Sequence, residues 1–285
     1  MNIMNYRGPD SKGTYQDEGL TIGHLRLSII DLSKRGQQPM SNREGDLVIT
    51  FNGEIFNYKE IRSELEKQGH KFNSNTDTEV ILHAYDEFGP ECLQKFNGQF
   101  SFVIYDTNKK TLFGARDRLG IKPMYYYHKD NKFIFASEMK SILVNDIPRE
   151  INFDSLNIFL SSRYISGEES IITNIKRLMP GHYFIYDLKS KKLDIKKFWD
   201  LKYSPELKSK KYFVEELRNQ LKSSVERRMM SDVPIGVYLS GGLDSSSIVA
   251  MMKQFTDNIK TFSVGFGHGK EVDELNHAKT VSNFF

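Results

Sequence analysis

Residues 237–250, "VYLSGGLDSSSIVA", constrain the fold more than any other stretch. An apolar run ends in Ser240-Gly241-Gly242, and a helical pattern resumes at once. Glycines let a chain leave a buried strand through a sharp turn and enter a helix directly. "IGVYLS" (235–240) and "TFSVGF" (261–266) read as buried strands, 245–255 as the helix between them, and 271–284 as a second helix. That alternation is the start of a parallel α/β sheet. The turn presents backbone N–H groups, and the helix adds its unpaired N-terminal N–H groups and positive dipole end. Together they form a nest for an anion. The hydroxyls of Ser240, Ser245 and Ser246 can donate to the same anion. Asp244 beside a phosphate makes sense when Mg²⁺ lies between them. A plain strand-to-helix turn capped by Ser or Asp is the competing reading, and a short glycine motif decides little by itself. Two strands cannot bury both faces of such a sheet, so the second domain is expected to be incomplete.

The pattern upstream is different. "LVITF" (47–51), "QFSFVIYD" (99–106), "TLFGAR" (111–116), "MYYYH" (124–128), "KFIFAS" (132–137) and "HYFIYDL" (182–188) read as short strands at hairpin spacing. Tyr58, Ile61 and Leu65 mark a helix face behind Asn57, an expected N-cap. Val80, Ile81, Ala84, Tyr85 and Phe88 mark another behind Thr76, with Glu79 placed to complete a capping box. Residues 1–200 therefore predict an α+β domain of layered antiparallel sheets with helices. The polar stretch 201–212 predicts a linker, and 213–285 the α/β domain. That domain opens on an amphipathic helix marked by Val214, Leu217, Leu221, Val225 and Met229.

Composition removes several function classes. Net charge is only +3, without a basic stripe, so nucleic acid is not expected. No apolar stretch reaches the roughly 18 residues of a membrane span, and the N-terminus carries no signal-peptide pattern. The single cysteine, Cys92, excludes an internal disulfide framework and fits a cytoplasmic protein.

Ser-Gly-Gly-x-Asp-Ser after a buried strand resembles the pyrophosphate loop of the ATP pyrophosphatases, the superfamily of asparagine, argininosuccinate, GMP and NAD synthetases. The resemblance implies ATP and Mg²⁺ as cofactors. Ser240, Gly241, Gly242, Asp244, Ser245 and Ser246 would surround the phosphates, with Asp244 on the Mg²⁺. Leu239 and Val264 would flank the adenine, though both serve equally well as strand core. "RGPDSKG" (7–13), "GHLRLSIID" (23–31), "QQPM" (37–40), "FNGEIFNY" (51–58), "TDTEVIL" (76–82), "GQFSFVIYD" (98–106), "RDRLGIKPMYY" (116–126) and "FASEMK" (135–140) follow in order. This set resembles the class II glutamine amidotransferase domain of the glutamine-hydrolysing asparagine synthetases, an N-terminal-nucleophile (Ntn) hydrolase fold. With the loop behind it, the resemblance runs along essentially the whole chain.

The resemblance implies roles. Asn52 and Gly53 supply an oxyanion hole; in isolation Asn-Gly reads rather as a type I′ hairpin turn. Glu54 and Asp77 hold the α-ammonium of glutamine, and Arg26 clamps its carboxylate. Charged surface residues and a first-turn helical acid are the plain alternatives for these three. Arg116, Asp117 and Arg118 are expected to form an ion-pair cluster without a catalytic role. The family's nucleophile is an N-terminal cysteine whose own amine is the base. "MNIM" offers none, and Cys92, just after a helix, is expected to be a buried hydrophobe. The chain is thus expected to be cut at both ends and to lack glutaminase activity.

The family reaction converts aspartate to asparagine through an aspartyl-adenylate, with ammonia taken from glutamine. Glutamine, aspartate and ATP are the implied partners, and a homodimer is compatible with the sequence. Another carboxylate acceptor, as in antibiotic or polysaccharide pathways, and a non-catalytic binding protein are the alternatives. Synthesis from free ammonia without the glutaminase would need a complete second domain.

Overall fold

Strands β4 (Leu47–Ile55) and β5 (Gly98–Asp106) pair antiparallel along their full length and form the centre of the first structural unit. They belong to a computed structural model that describes residues 1–265 and 274–285. The chain divides into two units, Met1–Lys202 and Tyr203–Phe285.

In the first unit β3 (Met40–Ser41), β6 (Thr111–Arg116), β10 (His182–Asp187) and β11 (Leu193–Lys197) complete a six-stranded sheet in the order β11-β10-β6-β5-β4-β3. β1 (Ser11–Asp17) and β2 (Leu20–Arg26) form a hairpin. β7 (Tyr125–Lys129), β8 (Lys132–Ala136) and β9 (Ile175–Arg177) form a three-stranded sheet. All of these pairs are antiparallel, giving the layered α+β architecture read from the sequence.

Alternation along the central strands decides which layer packs where. Val48, Val103, Tyr105, Leu112 and Phe184 join Ile22 of the hairpin and Met124 and Leu178 beside the small sheet in one buried cluster. The opposite face meets helices α1 (Tyr58–Lys67) and α2 (Asp77–Phe88). There Tyr85 stacks on Phe113 at 4.7 Å, and Phe96 packs edge-on against Phe100 and Phe102. Phe96, Phe100, Phe102 and Phe113 are each 1% exposed, and burial on that scale stabilises by about 2–3 kcal/mol per ring. Past α3 (Cys92–Lys95), the short helix α4 (Met139–Leu143) covers the other side of β7 and β8, where Ile142 packs with Tyr127 and Ile175.

Several local expectations change. Asn52-Gly53 is no hairpin turn, because β4 runs on to Ile55 with Asn52 opposite Ser101 and Gly53 opposite Phe100. Thr76 caps α2 by accepting from the Glu79 N–H, but Glu79 does not return to Thr76. Its carboxylate accepts instead from the Asn73 and Ser74 N–H groups and the Ser74 hydroxyl. Hydrogen bonds from these groups and His83 outweigh burial and hold Glu79 down at about 2. Asn57 precedes α1 without capping it; its amide bridges the Lys95 carbonyl and the Asn97 N–H. Arg116, Asp117 and Arg118 bind backbone rather than forming an ion-pair cluster. Arg116 donates to the carbonyls of Lys122, Leu178 and Gly120, and Arg118 to that of Gln94. Asp117 accepts from the N–H groups of Phe100, Leu119, Ile121 and Lys122. β1, β2, β9, β11, α4 and α5 (Phe153–Ser162) were not expected.

In the second unit α6 (Lys210–Arg228) starts inside the expected linker, because Ser209 accepts from the Tyr212 N–H as a cap. Only Val225 of its apolar stripe is buried. β12 (Gly236–Tyr238) and β13 (Lys260–Phe262) pair in parallel, and α7 (Leu243–Met252) connects them. α8 (Leu275–Phe284) follows. Residue 266 of the expected strand and 271–273 of the expected helix lie outside the described residues. No helix among the described residues is long and apolar enough to cross a membrane.

Candidate functional site

The face of β4 that is apolar at Val48 becomes polar at Thr50, Asn52 and Glu54. Beside these residues the first unit holds a cavity of about 800 Å³. Its walls come from the β1–β2 hairpin, β4, β5, the segment after β8 and the start of α2. Arg26, Asn52, Gly53, Glu54 and Asp77 all line it. Residues far apart in sequence thus converge on one space.

Each is positioned by a distinct device. Gly53 has φ of +151°, and a Cβ there would collide with the Gln99 carbonyl oxygen across the ladder. The position therefore requires glycine. The Asn52 amide donates to Ser137 Oγ at 3.3 Å. Glu54 stands opposite Gln99, and burial raises its pKa against the pull of Lys122. Asp77 opens α2, where its carboxylate accepts from the Ile55 N–H at 2.9 Å. Burial first, and Glu54 second, push Asp77 up to about 7 despite bonds from backbone N–H groups. A pair of carboxylates this short of positive charge is suited to a cation.

Arg26 is 7% exposed and donates to the backbone carbonyls of Ser33, Ile30 and Asp31. Three of its five N–H donors hold that loop. The cavity also holds residues the sequence did not single out. His24 bonds Thr50 Oγ1, and burial, then Arg26, push it down to about 4, so it is neutral at pH 7. Ser101, Ser137, Gln99 and Lys122 line the wall too. Alternation on β5 places Gln99 and Ser101 opposite Glu54 and Asn52, the one sequence signal that would have found them. Cys92 lies outside the cavity lining, fully buried, with its thiol pushed up by burial.

The second unit holds the glycine turn. Gly241 has φ of +86°, and a Cβ would strike the His277–Ala278 backbone. Gly242 is the N-cap of α7. The Gly242 N–H bonds Ser240 Oγ and the Ser240 N–H bonds Ser245 Oγ, so part of the nest is filled by the loop's own serines. The N–H groups of Leu243, Asp244 and Ser245 open the helix, where no intrahelical carbonyl reaches them. Ser246 Oγ is buried with no hydrogen-bond partner, and Asp244 is exposed. Leu239 is 2% exposed and packs with Val249 and Ala278, the core alternative, whereas Val264 is 62% exposed.

Residues 1–199 match the family model described as "Glutamine amidotransferase domain", and the chain belongs to that family. Residues 216–285, with the glycine turn, match the model described as "Asparagine synthase". The asparagine synthetase [glutamine-hydrolyzing] 1 of Bacillus subtilis is 40% identical over 264 residues, covering 93% of this chain and 42% of that protein. The amidase chry2 of Gibberella zeae is 32% identical over 304 residues, covering 100% of this chain and 45% of that protein. The chain spans about half the length of the curated relatives it matches. Among solved structures, a glutamine phosphoribosylpyrophosphate amidotransferase from B. subtilis aligns with a TM-score of 0.46 and 19% identity, over 88% of this chain and 53% of that one.

Proposed function

We propose that the chain is the glutamine-binding and phosphate-binding part of a cytoplasmic glutamine-dependent ligase that forms asparagine from aspartate. The observation that carries this reading is the convergence of Arg26, Asn52, Gly53, Glu54 and Asp77 on one cavity. A free amino acid brings an ammonium, a carboxylate and, in glutamine, an amide carbonyl. Glu54 and Asp77 take the ammonium, and Arg26 takes the carboxylate with its remaining donors. The Asn52 side chain and the Gly53 N–H receive the carbonyl oxygen as it becomes an oxyanion. Neutral His24 adds no competing charge. The sole cysteine is buried away from the cavity, so these 285 residues bind glutamine without hydrolysing it.

The turn in the second unit fits ATP. The opening N–H groups of α7 and the unpartnered Ser246 hydroxyl suit phosphate oxygens, with Ser240, Gly241, Gly242 and Ser245 around them. Exposed Asp244 would hold Mg²⁺. Bound ATP supplies the activating group for the acceptor carboxylate. Val264, 62% exposed, is the residue offered to flank the adenine.

Calorimetry of the chain with glutamine and, separately, with ATP·Mg²⁺ tests the reading. Binding of each to its own unit is expected, and no heat with glutamine would refute the site. In the longer ligase, Asp244→Ala should abolish adenylate formation and spare glutamine hydrolysis. Loss of both would contradict two separate sites. A second acceptor class stays open because the chain is also similar to the amidase chry2; amidation assays with aspartate against other carboxylates distinguish them.

A further inference from the structure

Helix α2 carries a second constellation, about 9 Å along its axis from Asp77. His83 is 5% exposed, and its Nδ1 lies 3.2 Å from Nδ1 of His70, which follows the end of α1. The opposite ring nitrogens face carboxylates. His70 Nε2 is 2.9 Å from Glu87 Oε2, and His83 Nε2 is 3.8 Å from Glu79 Oε1. An ionised carboxylate only accepts, so His70 Nε2, at hydrogen-bond distance from Glu87, carries a hydrogen and its Nδ1 presents a lone pair. The 3.2 Å between the two Nδ1 atoms is then bridged either by a proton on one ring or by a cation that both nitrogens ligate.

The spacing decides which cation fits. A tetrahedral ion with metal–nitrogen bonds of about 2.0–2.1 Å sets two nitrogens roughly 3.3 Å apart, close to the observed 3.2 Å. A third ligand is at hand: the donor atoms of His70, His83 and Asp86 all lie within 4.8 Å of one another. Asp86 is exposed, so its carboxylate is free to turn inward. Glu79, His83, Asp86 and Glu87 share one face of α2 by helical spacing. Glu87, 2.9 Å from His70 Nε2, stands as a carboxylate that orients a metal-bound histidine, and Glu79 is 3.8 Å from the other ring.

We infer that His70, His83 and Asp86 bind one divalent ion of the zinc class, with water as fourth ligand, and so clip the end of α1 to α2. The inference is independent of the proposed reaction. A proton shared by the two rings is the competing occupant.

The test uses the tag-free 285-residue chain stripped with a chelator. Zn²⁺ affinity is read by competition with a chromophoric chelator, and geometry by the visible absorption of the Co²⁺ form. One equivalent bound and the intense bands of four-coordinate Co²⁺ are expected. Asp86→Asn should weaken binding at least tenfold and His70→Gln about a hundredfold. Zn²⁺ at 100 times its Kd should raise Tm by roughly 5–10 °C, and His70→Gln should abolish that rise. Circular dichroism confirms that each variant folds, and exposed Asp86 provides a variant that leaves the core intact. Affinity unchanged in both variants, or a weak six-coordinate Co²⁺ spectrum, would overturn the site in favour of the shared proton.

Discussion

Replacing Asp77 by asparagine should stabilise the first unit while weakening glutamine binding. Asp77 is 5% exposed, and its pKa moves from 3.8 to about 7, chiefly through burial. At about 1.36 kcal/mol per pH unit, that displacement corresponds to roughly 4 kcal/mol of cost for the charged form in the fold. Asparagine has the shape of the neutral acid and keeps an oxygen for the Ile55 N–H. The sign follows from linkage. Between pH 4 and 7 the folded state holds more protons than the unfolded one, so the contribution of Asp77 is full below about pH 4 and falls as pH rises to about 7. An uncharged asparagine side chain escapes that loss. The advantage of Asp77→Asn over the parent should therefore grow by about 2–3 kcal/mol between pH 5 and pH 8. Urea unfolding followed by fluorescence measures this selectively, because the only tryptophan, Trp199, lies in the first unit. Glutamine affinity at pH 8 should fall by roughly 30- to 100-fold, the worth of a charge-assisted bond. In the parent, affinity should fall up to tenfold per pH unit below pH 7, as protons compete with the ammonium. A stability difference that does not change with pH, or undiminished glutamine binding, would refute the reasoning.

Other perturbations probe different links. Gly53→Ala should destabilise the first unit by about 2–3 kcal/mol and abolish glutamine binding in calorimetry, since a Cβ meets the Gln99 carbonyl and φ is +151°. Asp117→Ala should cost about 3 kcal/mol or more in the same unfolding assay, because the Phe100, Leu119, Ile121 and Lys122 N–H groups lose their acceptor. Cys92 should resist a disulfide-exchange reagent until urea unfolds the first unit, as expected for a buried thiol with a raised pKa.

The layered sheets were legible because a strand buried on both faces reads as a near-continuous apolar run between turn residues, as at "FSFVIYD" in β5. The hairpin β1–β2 escaped notice because its "SKGTYQD" strand is polar throughout, with one face open to solvent and cavity. Asn52-Gly53 shows where local chemistry misleads. The pair has the propensity for a tight turn, but full-length pairing with β5 overrides it. Glu79 illustrates the same limit, since the capping pattern was visible but the Asn73–Ser74 turn competing for its carboxylate was not. The five family positions of the cavity were legible only through the ordered motif set. Gln99 and Ser101 were open to alternation on β5, whereas Ser137 and His24 depend on layer stacking, which no local window contains.

β4 is anchored along one edge by β5, and on the other the Ile55 N–H is tied to Asp77. The Cα atoms of Asn52 and Glu54, two residues apart on such a strand, are separated by about 6.6–6.8 Å. On the proposed reading, this span works as a molecular gauge, with the amide carbon at one mark and the ammonium at the other. An amino acid one methylene shorter than glutamine, reaching one mark, falls short of the other. Discrimination by length would then start from the spacing the backbone sets between these two side chains.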